Sequence, residues 1–536
     1  MISRLSLRTI CSPPSRGPAF RRSSLLTRVA RSALLLCIAM PVGVAHAANA
    51  PVQVTLDASK PGAVIDRNIF GQFAEHLGSG IYGGIWVGKD SAIPNTRGIR
   101  KDVVAALKAL KVPNVRWPGG CFADQYDWRR GVGPERKPAV GEPNSFGTDE
   151  FMDFAQQIGT EAYISVNLGS GTAQEAAEWL EYMTAPIDDA LGAERAKNGH
   201  PAPYKVAILG LGNESWGCGG SMSPDFYVNE MRRFSQFVRN YNAVQPMKRV
   251  AVGEGGGEGS YNDAIMKAWK GRSGGWDIEG LSLHFYATGG WPPHLPSAGF
   301  DEKDYAALVK DPIAMDDAIK TYSAIMDKYD PEKKVALAVD EWGAWLAPTP
   351  GSNPAGLVQQ NSQRDAVLAA LSINVFARHA DRVRMANIAQ MINVLQAMIL
   401  TDKDKMVLTP TYHVFHMYVP FQDATFVPLT FDSGTYATNG ITLPRVDAIA
   451  ARDKAGKLWI AVTNIDPKSP ATFIISLAGV KAIKAAGQTL AAPKVDSVNS
   501  FDAPNIVAPK PLSARVAGGK LTVTVAPASV TMLGLE

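Results

Sequence analysis

The sequence predicts an α/β chain, a (β/α)8 TIM barrel followed by a C-terminal all-β sandwich of the jelly-roll kind. Between about residues 65 and 420, eight short apolar runs alternate with segments whose apolar residues recur every three or four positions. The apolar runs are rich in Val, Ile, Leu and Ala, which is typical of a parallel sheet covered on both faces. A doubly wound open sheet would show the same alternation and is the alternative fold.

Length and composition fit a globular protein of two domains. The chain has 536 residues, of which 46% are hydrophobic and 19% are charged. Its formal net charge is +4, but the first 47 residues contain seven arginines and no lysine or acid, so the rest carries +4 − 7 = −3. A mildly acidic chain has no electrostatic reason to bind nucleic acid or an anionic membrane, and we expect neither partner.

Residues 1–47 have the features of an export signal. Arginines precede an apolar run at 33–45, which ends in Ala45-His46-Ala47, an A-x-A cleavage pattern. A run of about 13 residues is short for a helix that spans a bilayer. We therefore expect cleavage after Ala47 and a periplasmic or extracellular protein that is free of the membrane once the signal is removed. The alternative is an uncleaved anchor.

The barrel elements follow one another in strict alternation. The predicted strands are 69–73, 114–117, 162–168, 205–211, 249–253, 278–286, 334–339 and 383–389. The predicted helices are 101–111, 151–158, 173–183, 226–241, 262–270, 315–329 and 364–377.

The character of the chain changes after about residue 420. Strands with alternating apolar residues are predicted at 458–463, 471–477, 521–525 and 530–535, and no convincing helical pattern lies among them. A first strand at 52–56 precedes the barrel and could pair with these strands. We therefore expect an N-terminal strand within 48–64 that joins the sandwich, a catalytic barrel at 65–420 and a sandwich at 421–536.

Two predicted barrel strands each deliver a glutamate at their C-terminal end. The fourth leads to Glu214, and the seventh leads to Glu341. The carboxyl ends of barrel strands are where such barrels place their active sites. Two carboxyl groups, one protonated and one ionised, are what cleavage of a glycosidic bond requires.

Other residues near these strand ends are candidates for the same site. Asn213 is placed to hydrogen-bond a sugar hydroxyl. Glu254 and Glu258 also follow a strand, the fifth, but they lie in a glycine-rich loop, and we interpret them as loop or secondary-site acids. Trp291 and Trp342 could stack on neighbouring sugars or could be half-buried packing residues. His284 could be a site residue or a hydrogen-bonded core histidine.

Six segments together are specific for one family. They are FAEH with IYGGIW at 73–76 and 81–86, RWPGGC at 116–121, GNESWGCGG at 212–220, SLHFY at 282–286, DEWG at 340–343 and NIAQMINV at 387–394. In this order they resemble the motifs of glycoside hydrolase family 51, which consists chiefly of α-L-arabinofuranosidases. The resemblance runs from about residue 52 to the end of the chain, and it implies the same barrel-plus-sandwich fold.

The resemblance also implies roles for individual residues. It implies Glu214 as the acid/base and Glu341 as the nucleophile that forms a covalent arabinosyl-enzyme. It implies that Arg116 hydrogen-bonds the nucleophile and keeps it ionised. The residues implied to line the pocket and bind the furanose are Glu75, Cys121, Asn213, Tyr286 and Gln390, and Tyr286 would also help to orient the nucleophile.

The sequence contains no motif that is typical of cofactor binding. Neither a P-loop nor a strand-linked G-x-G-x-x-G is present, and we expect neither a cofactor nor a metal. Cys121 and Cys218 both lie in glycine-rich loops, where they could pair or stay free. The resemblance implies a homotrimer or homohexamer as a possible assembly.

We therefore expect a retaining exo-glycosidase that releases terminal, non-reducing α-L-arabinofuranosyl residues from arabinan, arabinoxylan or their oligosaccharides. One alternative is a related barrel enzyme that acts as a xylosidase or an endo-glucanase. The other is a catalytically inactive barrel that binds carbohydrate, although the presence of both glutamates argues against it.

Overall fold

The structure, a computed structural model, describes residues 50–255, 257–480 and 482–536. The predicted signal at 1–47 lies outside the described residues. Within the described ranges, none of the helices is both long and apolar enough to cross a lipid bilayer.

Strands and helices alternate through the first three quarters of the chain, and strands alone follow. The strands are β1 (Val52–Asp57), β2 (Gly71–Phe73), β3 (Asn95–Thr96), β4 (Ile99–Arg100), β5 (Asn114–Trp117), β6 (Glu161–Val166), β7 (Val206–Leu211), β8 (Lys248–Ala251), β9 (Gly280–Ala287), β10 (Ala336–Ala344), β11 (Val383–Ile388), β12 (Ile399–Asp402), β13 (Lys405–Leu408), β14 (Thr425–Val427), β15 (Leu429–Phe431), β16 (Thr435–Thr438), β17 (Ile441–Pro444), β18 (Val446–Arg452), β19 (Leu458–Asn464), β20 (Ala471–Ala478), β21 (Lys484–Leu490), β22 (Lys510–Ala517), β23 (Lys520–Val525) and β24 (Ser529–Leu535). The helices are α1 (Lys101–Ala109), α2 (Thr148–Ile158), α3 (Ala173–Thr184), α4 (Ala190–Lys197), α5 (Pro224–Phe237), α6 (Ser260–Lys270), α7 (Glu302–Val309), α8 (Asp311–Asp327), α9 (Gln363–Arg378) and α10 (Pro410–Tyr418).

Eight parallel strands close into a barrel in the order β10-β11-β2-β5-β6-β7-β8-β9. The circle closes because β10 pairs with β11 on one side and with β9 on the other. Every strand of this sheet thus has two neighbours, which confirms the predicted (β/α)8 barrel and excludes the open sheet.

Local signals in the sequence start the barrel helices. Thr172 and Glu175 form a reciprocal capping box at α3, in which the Thr172 hydroxyl accepts from the Glu175 N–H at 3.1 Å and the Glu175 carboxylate accepts from the Thr172 N–H at 2.7 Å. Ser223 caps α5, and Pro224 follows at its first position.

The alternation of side chains along β5 places a polar group inside the barrel. Val115 and Trp117 belong to the main hydrophobic core, where Trp117 stacks on Phe151 of α2 with ring centroids 4.7 Å apart. Because successive side chains of a strand point to opposite faces, Arg116 points the other way, into the mouth of the barrel.

The C-terminal strands form the predicted all-β domain. Ten strands hydrogen-bond in the order β14-β18-β19-β24-β21-β22-β23-β20-β1-β15 and fold around one apolar core. Phe473, Ile460 and Leu533 are fully buried in that core. The domain boundaries expected at residues 64 and 420 stay a prediction.

Helix α9 connects the barrel to this domain. The Asn374 amide donates to Asp447 of β18 at 2.9 Å, and the Gln363 amide donates to the carbonyl of Ala528 at 2.7 Å. These bonds fix the all-β domain against helix α9 on the side of the barrel.

Strand β1 belongs to the all-β domain although it precedes the barrel in the chain. It lies parallel to β20 and antiparallel to β15, with Val54 opposite Ile475 on one side and Phe431 on the other. Its burial alternates, so Val54 is 1% exposed in the core whereas Thr55 faces solvent.

We expect Val54→Asp to lower the free energy of unfolding by roughly 3 kcal/mol or more, because it places an unpaired carboxylate in an apolar core. Thr55→Asp, the matched control on the exposed face, should change it by about 1 kcal/mol at most. Urea unfolding followed by tryptophan fluorescence measures both variants. Equal stabilities would contradict the placement of β1.

Candidate active site

The carboxyl ends of the barrel strands bring together a buried charge cluster. It consists of four carboxyl groups, one guanidinium and one imidazole, contributed by Glu75, Glu214, Asp340, Glu341, Arg116 and His284. Both glutamates singled out in the sequence are members, and so are Arg116 and Glu75.

Arg116 and Tyr286 hold Glu341 from two sides. The Arg116 Nη1 donates to Oε1 of Glu341 at 2.6 Å, and the Tyr286 hydroxyl donates to Oε2 at 2.8 Å. The side chains of Arg116 and Glu341 are only 1% and 7% exposed. Each carboxylate oxygen has a fixed donor, so the group is kept in one orientation.

A bulge in β10 aims two successive acids into the site. The pairing register of β10 shifts between Val339 and Trp342 on one side and between Ala338 and Glu341 on the other. Such an irregularity re-aims side chains, and both Asp340 and Glu341 consequently face the barrel mouth. Asp340 was not predicted as a site residue from the sequence. The signal that could have indicated it is the pair of adjacent acids, Asp340 and Glu341, at the end of an apolar run.

Asp340 lies beneath Glu341 and balances the buried cations. It accepts from the Tyr163 hydroxyl at 2.7 Å and from the Ser282 hydroxyl, and its Oδ2 lies 3.7 Å from Nε of Arg116. Burial alone would raise the pKa of Asp340, but Arg116 and His284 outweigh it and lower the pKa to about 2. Asp340 is therefore a permanent anion of the cluster.

Glu214 reaches the cluster from a sharp turn at the end of β7. Gly212 has φ +93°, a conformation that favours glycine, and Glu214 itself has φ +37°. The turn presents the carboxyl to His284, whose Nδ1 lies 2.9 Å from Oε1. The Glu214 side chain is 20% exposed and is the most accessible of the four acids.

His284 bridges the two glutamates. Its Nδ1 lies 2.9 Å from Glu214 and 3.4 Å from Glu341. Burial alone would lower the pKa of His284, but the surrounding carboxylates outweigh it and raise the pKa to about 10. His284 is thus a site residue and is protonated at neutral pH.

Glu75 is held in place by main-chain groups and by Gln390. Its Oε1 accepts from the N–H groups of Gly120 and Phe122 at 2.9 and 3.1 Å, and its Oε2 accepts from Gln390 at 3.0 Å. Burial and the charge of Glu341 raise the pKa of Glu75 to about 7, against these hydrogen bonds.

Asn213 and the two cysteines complete the wall on the Glu214 side. The side-chain amide oxygen Oδ1 of Asn213 accepts from Nη2 of Arg116 at 2.7 Å. Cys121 and Cys218 are joined in a disulfide, which answers the question that the sequence left open. The Cys218 sulfur lies 3.5 Å from Oε2 of Glu214.

The tryptophans separate into packing and surface residues. Trp342 is 1% exposed and packs against Phe376 and Phe415, so the prediction that it stacks on sugars is wrong. After the bulge, β10 pairs regularly again and its side chains alternate, so Trp342 points outward while Glu341 points inward. Trp291 is 73% exposed and contacts Trp345, which in turn contacts Tyr286, with ring centroids 5.6 and 5.2 Å apart.

Among the residues that the structure describes, two groups have the spacing of metal ligands. His284, Glu214 and Glu341 place ligand atoms within 4.8 Å of one another, as do Cys121, Cys218 and Glu214. In the second group the two sulfurs are bonded to each other and are therefore not thiolate ligands.

Two family descriptions match the chain. The one described as "Alpha-L-arabinofuranosidase 1 domain" matches residues 106–287, and the one described as "Alpha-L-arabinofuranosidase C-terminal domain" matches residues 340–529. Together they include the strands that carry Arg116, Glu214, His284 and Glu341.

The chain is similar to characterised proteins over almost its full described length. An intracellular exo-alpha-L-arabinofuranosidase of Bacteroides ovatus is 44% identical over 510 residues, 93% of this chain and 98% of the relative. The crystal structure of the GH51 arabinofuranosidase from Xanthomonas axonopodis pv. citri has a TM-score of 0.88 and 48% identity, over 91% of this chain and all of that one. The arabinose complex of alpha-L-arabinofuranosidase from Thermotoga maritima has a TM-score of 0.80 and 30% identity, over 90% and 100% of the two chains.

The prediction of an exported, periplasmic or extracellular protein is wrong. It is contradicted by the relative from Bacteroides ovatus, which is named an intracellular enzyme. The prediction depended on arginines followed by a short apolar run, a pattern that reports charge and hydrophobicity and does not by itself specify a compartment.

We expect Glu75→Gln to raise the stability of the folded protein at pH 8 and to change that stability little at pH 5. A pKa raised from 4.5 to about 7 means that the folded protein binds this proton more tightly than the unfolded chain, so stability falls as the pH rises through this range. A neutral glutamine removes that penalty, which amounts to about 3 kcal/mol at most. Thermal unfolding at both pH values measures the difference.

Glu142→Gln is the matched control for this prediction. Burial would raise the pKa of Glu142, but hydrogen bonds with His76 and Tyr82 lower it, so its charge stabilises the fold above its unfolded pKa. This variant should therefore be less stable than the wild type at pH 8. If both variants were more stable than the wild type at pH 8, or both less stable, the raised pKa of Glu75 would be contradicted.

Proposed function

The chain belongs to the α-L-arabinofuranosidases of glycoside hydrolase family 51, and on that premise we propose that it is a retaining enzyme with Glu341 as nucleophile and Glu214 as acid/base. The substrates proposed are terminal, non-reducing α-L-arabinofuranosyl residues of arabinan, arabinoxylan and their oligosaccharides. The word "exo" in the name of the Bacteroides ovatus relative supports the terminal mode of attack.

The observation that carries this proposal is the close approach of the two carboxyl groups. A carboxylate oxygen of Glu214, a ring nitrogen of His284 and a carboxylate oxygen of Glu341 lie within 4.8 Å of one another. Retaining enzymes hold their two carboxyls about 5–5.5 Å apart, whereas inverting enzymes need about 6.5–9.5 Å to admit a water molecule. The spacing supports direct attack by a carboxylate on the sugar.

The surroundings of the two glutamates support their different roles. Glu341 has Arg116 and Tyr286 as donors, and Glu214 has neither. Glu341 lies against both buried cations, 2.6 Å from Nη1 of Arg116 and 3.4 Å from Nδ1 of His284, which suits the role of a charged nucleophile. Glu214 contacts only His284 of these two cations and is the more exposed glutamate, at 20% against 7%, which suits a group that must meet the leaving oxygen.

In the first step, a Glu341 oxygen attacks the anomeric carbon while the bond from that carbon to the leaving oxygen breaks. Glu214 gives its proton to the leaving oxygen, which departs as an alcohol. The product is an arabinosyl ester of Glu341. Arg116 and Tyr286 hold the attacking carboxylate in line, so little reorganisation is required at the moment of reaction.

In the second step, Glu214 acts as a base. Its carboxylate takes a proton from water, the water oxygen bonds to the anomeric carbon, and the ester bond to Glu341 breaks. Two inversions at one carbon give net retention. Glu214 regains its proton and Glu341 its charge, so the enzyme returns to its starting state.

The other predicted site residues are proposed to bind the sugar. Glu75 is hydrogen-bonded to Gln390, and Asn213 is hydrogen-bonded to Arg116, which also donates to Glu341. Cys121 is bonded to Cys218, whose sulfur lies 3.5 Å from Glu214. The polar groups among them suit the hydroxyls of a furanose ring. Trp291 is proposed as a stacking surface for the sugar next to the one that is released, because an exposed aromatic face suits a sugar ring. Assembly into a trimer or hexamer stays a prediction.

We expect Glu341→Ala to lower kcat on an aryl α-L-arabinofuranoside by at least about 10³-fold, because the attacking group is lost. Added azide should restore turnover and give the β-configured arabinosyl azide, which NMR identifies. Glu258→Ala, which removes an exposed glutamate from the loop after the fifth barrel strand, is the control and should keep full activity without azide. Undiminished activity of Glu341→Ala would remove this residue from the mechanism.

We expect Glu214→Ala to lower the rate of the first step, formation of the arabinosyl-enzyme, by about 10²-fold or more on substrates with poor leaving groups. On activated aryl arabinosides the same rate should fall far less. Proton donation matters most when the departing oxygen is a poor leaving group. Pre-steady-state rates of arabinosyl-enzyme formation with a dinitrophenyl and an alkyl arabinoside measure the contrast. Equal losses on both substrates would contradict the role of Glu214 as the acid.

A further inference from the structure

One buried carboxylate beside the site has no part in the proposed mechanism. Asp124 lies in a short 3-10 helix, Ala123–Gln125, in the loop that follows β5 and is 2% exposed. Its Oδ1 accepts from the N–H groups of Leu168 and Gly169 at 3.0 and 2.7 Å, and its Oδ2 accepts from the N–H of Asn213 at 2.9 Å.

These hydrogen bonds connect the ends of three neighbouring barrel strands. Asp124 itself follows β5, Leu168 and Gly169 follow β6, and Asn213 follows β7. The Ser170 hydroxyl also donates to the carbonyl of Asp124 at 2.7 Å. One side chain thus determines how three adjacent loops leave the barrel at its catalytic end.

The backbone that Asp124 holds is the turn that presents Glu214. Asn213 precedes Glu214 directly, and Glu214 has φ +37°, a conformation that costs free energy for a residue other than glycine. Such a conformation persists only when surrounding contacts enforce it. The hydrogen bond from the Asn213 N–H to Oδ2 of Asp124 holds the main chain one residue before that strained residue.

The loop after Glu214 closes over the same carboxylate. The Glu214 carbonyl accepts from the N–H groups of Gly217 and Gly219 at 2.7 and 3.0 Å. A Cβ atom on Gly219 would lie 1.8 Å from the Asn213 carbonyl oxygen and 2.7 Å from Oδ2 of Asp124. The loop therefore packs directly on Asp124, with no space for a side chain between them.

We propose that Asp124 is a positioning residue for the acid/base, which fixes the turn at Asn213 so that the Glu214 carboxyl meets the leaving oxygen. Asp124 does not touch the reacting atoms, because both of its oxygens are occupied by main-chain donors and it is buried behind the turn. The inference rests on the proposed role of Glu214, and it assigns to Asp124 an effect on proton donation rather than on sugar binding.

The test compares Asp124→Asn with Glu214→Ala on two substrates, an alkyl arabinoside and a dinitrophenyl arabinoside, by the rate of arabinosyl-enzyme formation. The asparagine keeps the shape but replaces one acceptor oxygen by an NH2 group, which cannot accept from either strand end. We expect Asp124→Asn to slow the alkyl arabinoside by about 10-fold or more and the dinitrophenyl arabinoside by less than about 3-fold, with KM little changed.

A double-mutant cycle separates positioning from general damage to the fold. In the Glu214→Ala background, adding Asp124→Asn should lower the rate on the alkyl arabinoside by less than about 2-fold, because the group that Asp124 positions is already absent. A further loss as large as that in the wild-type background would overturn the inference.

Asp330→Asn is the matched control. Asp330 is also 2% exposed and accepts from a main-chain N–H, that of Val335 at 2.8 Å, but it lies at the opposite end of β10 and pairs with Arg382. It should lower the unfolding temperature without any difference between the two substrates. A leaving-group difference in this control would show that general destabilisation produces the signal, and it would overturn the inference.

These measurements also distinguish a failure of the inference from a failure of the proposed function. If Glu214→Ala shows no difference between the substrates, the proposed function fails. If Glu214→Ala shows it and Asp124→Asn slows both substrates equally or not at all, the inference alone fails. Asp124→Ser is a second variant at the same position. If neither Asp124 variant unfolded cooperatively, the carboxylate would be required for folding itself, and the inference would be overturned.

Discussion

A single buried cation, the guanidinium of Arg116, organises the catalytic end of the barrel. Removing such a charge from water costs several kcal/mol unless partners surround it, so the fold must bring acceptors to it. Those acceptors are Glu341 and Asp340 on β10 and Asn213 after β7. The requirement that stabilises the cation therefore also draws β7 and β10 to a fixed separation, and with them the two glutamates that the chemistry uses.

The segment 119–124 connects this arrangement to the rest of the pocket through one main-chain and two side-chain contacts. Gly120 donates its N–H to Glu75, Cys121 is bonded to Cys218, and Asp124 accepts from Asn213. A Cβ atom on Gly119 would lie 2.7 Å from the Glu75 side chain, so the glycine in the motif is required by close approach. Short polar contacts along one loop thus join the sugar-binding side of the site to the side that carries Glu214.

The barrel could be predicted from the sequence because its strands are uniformly apolar and its longer helices are amphipathic. The short helices α4 and α7 were missed because eight residues hardly establish a period, and α10 was missed because it is apolar on nearly all sides. The glutamate pair was predicted because each glutamate ends an apolar strand. Asp340 points inward because of a bulge, and Asp124 makes its contacts because three loops meet. Neither a bulge nor a meeting of loops produces a periodic pattern in the sequence, so neither could be predicted from it.

The first and the last strand of the described residues, β1 and β24, belong to the same all-β domain, and this has a consequence for the synthesis of the protein. Strand β1 leaves the ribosome early, whereas Ile475, which lies beside Val54, is made more than four hundred residues later. The nascent chain must complete its whole barrel while an apolar strand still lacks its neighbours. A bound chaperone, or transient burial of β1 against other apolar surface, would keep that strand from aggregating until the last hairpins emerge.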